Sequence, residues 1–290
     1  MKGKVKRILT GISLVAGLSV LLAFANSTAD SSLCNRVQIN IEGNETDPFI
    51  DQRDIRALIK EQGKPIEGNF LSAISSEQLE KTFNNHSHIL KSEVIKNYDG
   101  VLEVNVITRR PIARIINFNG ESFYLDAEGK LMQWSEKHSA RVPVFTGAIY
   151  ESYARCKGID YSKIDINDSL LKSPGMYGLY RLAKYIDRSE FWRAQVEQVN
   201  VSVELELIPT AGDHLIILGD YFNLEEKFNK LFILYKEGLN KVGWNIYSEI
   251  DLRYRNQVVC KRSVSGPATP QIKKEIKPEN PQPQKVKAND

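Results

Sequence analysis

The sequence predicts an α+β fold: an apolar N-terminal helix, a compact unit of two helices on a small sheet, and a larger mixed β unit with at least two helices. Three observations lead there. Residues 8–25 carry no charge and follow a basic start. Residues 37–108 read in the order β-α-α-β-β. From Ile112 onward, short alternating runs bounded by turn residues dominate, broken by two stretches with helical apolar spacing.

The N-terminal segment comes first in the chain. Eighteen helical residues at 1.5 Å rise span about 27 Å, close to the hydrocarbon thickness of a bilayer. Asn26–Ala29 prolong the uncharged stretch, so residues 8–29 are expected to form a transmembrane helix. Lys2, Lys4, Lys6 and Arg7 precede it, and no charge follows until Asp30. That asymmetry makes residues 1–7 a cytoplasmic tail and puts the bulk of the chain outside the cytoplasm. Ala23-Phe24-Ala25 also fits the cleavage site of a signal peptide, but the apolar run is longer than such segments usually carry, which favours an anchor. A lipid-attachment site is disfavoured because Cys34 follows Leu33 rather than a small residue.

Composition narrows the function. Of 290 residues, 42% are hydrophobic and 26% charged, which is enough apolar mass for a packed core. The net charge of +3 comes largely from the two ends, with Lys273, Lys274, Lys277, Lys285 and Lys287 near the C-terminus. A nucleic-acid binder concentrates Lys and Arg on its folded part, so nucleic acid is not an expected partner. Cys34, Cys156 and Cys260 are too few, and odd in number, for a disulfide framework. Free thiols are expected, with a Cys156–Cys260 bridge as the alternative.

Within 37–108, Val37, Ile39 and Ile41 alternate with polar residues as a half-buried strand. Ile55, Leu58 and Ile59 line one face of a helix over 51–62, stopped by Gly63. Ser75 and Gln78 form a capping box for a second helix, along which Leu79 and Phe83 stack. Leu90, Ser92, Val94 and Tyr98 are expected on one strand face, and Asp99-Gly100 turns the chain into Leu102, Val104, Val106 and Thr108.

Arg109-Arg110-Pro111 opens the unit at 109–262. Strands are expected at 112–118, 122–125, 131–134, 142–145, 196–201, 203–208 and 214–218. A helix over 176–187 separates the first four from the rest. A second helix starts near Asn223, capped by Asn223 with Glu226, and turns Leu224, Phe228, Leu231, Phe232 and Tyr235 inward. Residues 247–261 are β-rich. Beyond Ser263, five prolines among Lys, Gln and Glu leave a tail, 263–290, with too little apolar surface to fold.

Candidate chemistry is thin. Ser169-Leu170-Leu171-Lys172 matches S-x-x-K, but the S-x-N and K-T-G elements that complete such a site are missing. His86 and His88 lack further ligands nearby in sequence and read as exposed loop histidines. Asp165, Asn167 and Asp168 lack the Gly and Glu of a calcium loop. No phosphate loop, G-x-S-x-G or H-E-x-x-H occurs. The expectation is therefore no catalytic residue, no cofactor and no metal, and a protein that works by binding.

The assembled order resembles the FtsQ/DivIB family of bacterial cell division proteins. Residues 37–108 resemble its POTRA domain, with Val37–Asn44 at the opening strand. Arg110-Pro111-Ile112-Ala113-Arg114 resembles the junction between the family's two domains. Tyr124-Leu125-Asp126-Ala127-Glu128-Gly129 resembles its Y-x-D-x-x-G hairpin, and Val142-Pro143-Val144-Phe145-Thr146-Gly147 its L-P-x-L-x-G segment. Ile250-Asp251-Leu252-Arg253-Tyr254 resembles its I-D-L-R-Y strand. The resemblance runs in order to about residue 261. Asn256-Gln257 departs from the glycine common at the last turn, and the Lys/Pro tail is not a shared feature.

The resemblance implies a non-catalytic divisome scaffold. It would bind FtsB- and FtsL-like proteins and, through the POTRA-like domain, other division proteins, and so help coordinate septal peptidoglycan synthesis. Partner binding is expected on the last strand, at Tyr254, Asn256, Gln257, Val258 and Val259, because an exposed edge can accept a partner's strand. Two rival readings are a POTRA module for secretion or outer-membrane assembly and an anchored cell-wall enzyme. The first calls for tandem repeats and a barrel, the second for a paired-carboxylate or Ser/Lys site.

Overall fold

The computed structural model describes residues 14–19, 32–43, 49–63, 65–164 and 175–263. Residues 14–19 are helical; the remainder of the expected 8–29 membrane helix lies outside the described residues, as does the tail after Ser263. No described helix is long and apolar enough to cross a membrane.

The first unit follows the expected order: β1 (Arg36–Glu42), α1 (Gln52–Glu61), α2 (Ser76–Asn84), β2 (Ile89–Lys96) and β3 (Val101–Thr108). Its sheet runs β1-β3-β2, with β1 parallel and β2 antiparallel to β3. Ile55 and Ile59 of α1 and Leu79 and Phe83 of α2 bury their side chains with Val37, Ile39, Val94 and Val104 of the sheet. The full capping box lies on α1, where the Asp51 carboxylate accepts from the Arg53 and Asp54 N–H groups and Asp54 accepts from the Asp51 N–H. At α2 only half of the expected box forms, with Ser75 Oγ accepting from the Gln78 N–H at 3.2 Å. The face expected for β2 is corrected by a bulge between Ile89 and Lys91. The extra residue turns Ile89 inward and leaves Leu90 exposed, while Tyr98 lies in the turn, 83% exposed.

The second unit is one nine-stranded sheet in the order β12-β11-β10-β9-β8-β7-β4-β5-β6. Its strands are β4 (Pro111–Ile116), β5 (Ser122–Asp126), β6 (Leu131–Gln133), β7 (Val144–Gly147), β8 (Val196–Val201), β9 (Leu205–Pro209), β10 (Leu215–Gly219), β11 (Tyr247–Asp251) and β12 (Val259–Arg262). Its helices include α3 (Tyr153–Cys156), α4 (Gly175–Asp187), α5 (Glu190–Gln195) and α6 (Leu224–Ile233), the last continuing as a wider π-helical turn over Leu234–Leu239. Leu179, Leu182 and Ile186 of α4 and Phe228 and Leu231 of α6 share one core with Phe145, Val199, Leu207, Ile216 and Ile250 of the sheet.

Three expectations are corrected here. Asn223 precedes α6 in the left-handed region (φ 51°) and makes no side-chain cap bond. Phe232 is 41% exposed, its ring meeting Phe191 at 5.2 Å on the outside of the helix. Residues 247–261 are β-rich as expected, but the residues expected to run on as one last strand from Tyr254 to Val259 lie mostly in the connection of a hairpin, residues 253–258, outside the sheet. The cysteines Cys34, Cys156 and Cys260 are free.

Candidate partner-binding edge and domain junction

Two regions combine polar groups in ways that packing alone does not require: the junction between the units and the ends of the two sheets. At the junction, Arg109 donates to Asp126 at 2.6 Å, with both side chains buried. The next residue, Arg110, forms a two-pronged bond to Asp187 at 2.7 Å per contact. Phe49 of the first unit packs with Tyr124 and Met132 of the second. His88 closes the contact, its Nε2 donating to the Gln133 carbonyl at 2.7 Å and its ring 5.4 Å from that of Phe49. The reading of His86 and His88 as exposed loop residues is thus corrected for His88, which is 8% exposed because the second unit covers it.

Two open sheets have four edges, and their outermost backbone groups need partners. On β1, Gln52 donates to the Ile39 carbonyl at 3.2 Å and Arg56 to the Val37 carbonyl at 3.4 Å, both from α1. On β2, the Ser92 N–H goes to Asn84 and the Val94 N–H to Glu80, each at 2.8 Å, both from α2. On β6, the Gln133 carbonyl is taken by His88. The fourth edge, β12, differs. Among the described residues, the side chain that bonds its backbone is Ser248 of its own neighbour β11, reaching the Lys261 carbonyl at 3.4 Å.

The direction of its backbone groups follows from pairing. The Leu252 N–H donates to the Ile217 carbonyl at 2.9 Å, so alternate residues of β11 address β10 while Glu249 and Asp251 address β12. Asp251 pairs with Val259 and Glu249 with Lys261, and the Ser263 N–H donates to the Ile246 carbonyl. Residues 259, 261 and 263 therefore turn inward, which points the backbone groups of Cys260 and Arg262 away from the sheet.

The five residues named from the sequence do not share one strand. Val259 begins β12, its side chain 45% exposed and its backbone paired with Asp251. Val258 is half-buried against the core. Tyr254, 47% exposed, sits in the connection, where Lys230 of α6 donates to its carbonyl at 2.6 Å. Asn256 adopts φ 60°, a left-handed conformation that asparagine tolerates, and its N–H donates to Glu226 at 3.4 Å. Gln257 follows it, exposed. Arg253 anchors the turn from below, bonding the Asp251 carboxylate and, at 2.6 Å, Glu204. The Arg253 guanidinium holds the Asp251 carboxyl below the ordinary carboxylate range. The connection is thus tied to α6 and to the β8–β9 turn, fixing the position of the free edge. Sequence reasoning missed Cys260 and Arg262, because which residues face outward depends on how β11 pairs with β10.

The remaining candidates give little to chemistry. Asp165, Asn167, Asp168, Ser169 and Lys172 lie outside the described residues. Among the described residues, no group of three or more His, Cys, Asp or Glu stands together as a metal site.

A two-helix, three-stranded unit joined through the buried Arg109–Asp126 pair to a larger sheet, one edge of which no helix or side chain covers on its outward side among the described residues, defines a two-domain protein of the POTRA-plus-β class. Compared with known families, residues 110–261 match the family described as FtsQ/DivIB, C-terminal related, and residues 32–107 match the POTRA-like domain. The chain belongs to the FtsQ/DivIB family, which indicates a role in cell division. No curated protein matches it.

Proposed function

We propose that this protein is a non-catalytic divisome scaffold that captures an FtsB-like partner, together with its FtsL-like companion, by adding a strand to β12. It is held in the inner membrane by residues 8–29 with its N-terminus in the cytoplasm, and it helps coordinate septal peptidoglycan synthesis from the periplasmic side. Its POTRA-like domain contacts other division proteins. The observation that carries this reading is the contrast among edges: side chains occupy β1, β2 and β6, whereas the outward groups of Cys260 and Arg262 have no such cover among the described residues.

Proline at position 260 tests it. Cys260→Pro removes an outward N–H without removing a bond to β11, and proline is tolerated on an edge strand. Cys260→Ala controls for the side chain. Capture of the FtsB-like partner by the full chain should weaken about tenfold or more in the proline variant and persist in the alanine variant, with melting unchanged in both. Undiminished capture by a folded Cys260→Pro protein would place the contact elsewhere.

A further inference from the structure

A hollow of about 490 Å³ opens beside the start of β4, and four separate elements send charged side chains to it. Arg110 comes from the entry to β4, Asp187 from the end of α4, Arg193 from α5, and Arg141 from the segment leading into β7. Pro143 and Ile186 contribute apolar wall. Asp187 is the single acidic residue of the lining and is 9% exposed. Both of its carboxylate oxygens are taken by Arg110, and its main-chain carbonyl accepts from Arg193. The Arg110 guanidinium holds the Asp187 carboxyl below its ordinary range, so it stays ionised and spent on that pair.

That arrangement leaves Arg141 over and Arg193 only partly engaged. Among the described residues Arg141 makes no hydrogen bond and no ion pair, while Arg193 is bonded to the Asp187 main-chain carbonyl. The Arg193 charge adds to that of Arg110 in lowering the Asp187 carboxyl, without a direct ion pair. Closing the fold needs Arg110 and Asp187; it gives Arg141 nothing to do. Guanidinium forks match carboxylates two bonds at a time, and they bind them best where apolar walls exclude water. The volume exceeds what one small inorganic anion fills and suits a few side chains.

We infer that this hollow is a second docking site, distinct from β12, for an acidic peptide segment of a partner protein that alternates carboxylates with apolar side chains. The carboxylates engage Arg141 and Arg193 while the apolar side chains rest on Pro143 and Ile186. The site shares no residue with the β12 edge, so it stands whether or not strand addition occurs there.

The probe is a fluorescein-labelled peptide of alternating leucine and glutamate, titrated with the full chain and read by anisotropy. It should bind at low salt and weaken as salt rises, and the same peptide with glutamine in place of glutamate should not bind. Arg141→Ala and Arg193→Gln should each weaken binding about tenfold, with melting unchanged in Arg141→Ala. Three results overturn the inference: a folded Arg141→Ala protein that binds as tightly as the parent, equal binding of the glutamine peptide, or displacement by inorganic phosphate at equal concentration. The last would make the hollow a site for small free anions.

Discussion

Asp126 serves two structures with one carboxylate. Its Oδ1 accepts from the Glu128 and Lys130 N–H groups and closes the β5–β6 turn, while Oδ2 accepts from Arg109 across the junction. Removing one member of a buried ion pair leaves the other charge without compensation, at a cost of about 3–5 kcal/mol. Asp126→Asn keeps an oxygen for the turn but loses the charge, so it should sit near the low end, about 3 kcal/mol, by denaturant titration. A loss below about 0.5 kcal/mol would contradict that role. The sequence marked Asp126 as part of a hairpin and Arg109 as a boundary, but not that they meet: partners 17 residues apart, on different elements, leave no periodic trace. The edge shows the same limit. Val259 and the turn at Asn256 were legible, whereas Cys260 and Arg262 emerge only once the pairing of β11 with β10 is known.

At the scale of elements, alternation and helical spacing located both helices and all three strands of the first unit, because each buries one face on a single core. They failed where one extra residue enters a ladder, as at Leu90. They failed also at α5, six residues long and capped by Ser189, too short to show a helical period. The junction between the units adds a pH response. Burial pushes His88 and His86 below the ordinary histidine value. The bond to the Gln133 carbonyl pulls His88 back upward, Asp54, itself paired with Lys137 at 3.0 Å, pulls both upward, and His86 and His138 act on His88 in the same direction as burial. The folded protein therefore binds these protons less readily than the unfolded chain. Stability is full above the unfolded value of about 6.5 and declines as pH falls through it towards the lower folded value. Melting temperature should drop between about pH 7.5 and 5.5, and less steeply in His88→Gln. Some slope should remain, since burial also lowers His86 and His214. Parallel curves for parent and variant would remove His88 from the account.

Among the described residues, side chains from helices and a junction histidine reach backbone groups on three of the four sheet edges, and none does so on the outward side of β12. Unblocked edges invite uncontrolled pairing, and the proposed strand addition calls for a fourth edge held in place, as the contacts of Lys230, Glu226 and Arg253 with the connection before β12 hold it. The family relationship was readable from ordered motifs spread over the chain; the contrast among edges was not, because it rests on side chains reaching backbone groups far away in sequence, such as Gln52 to Ile39. Amide hydrogen exchange of the full chain, with and without the proposed FtsB-like partner, tests the claim most directly. Strand addition predicts that the amides of Cys260 and Arg262, which point away from β11, become protected on binding, while those of Val259 and Lys261, already paired, change little. Unchanged exchange at Cys260 and Arg262 in a saturated complex, with new protection confined to the POTRA-like domain or to α6, would contradict it.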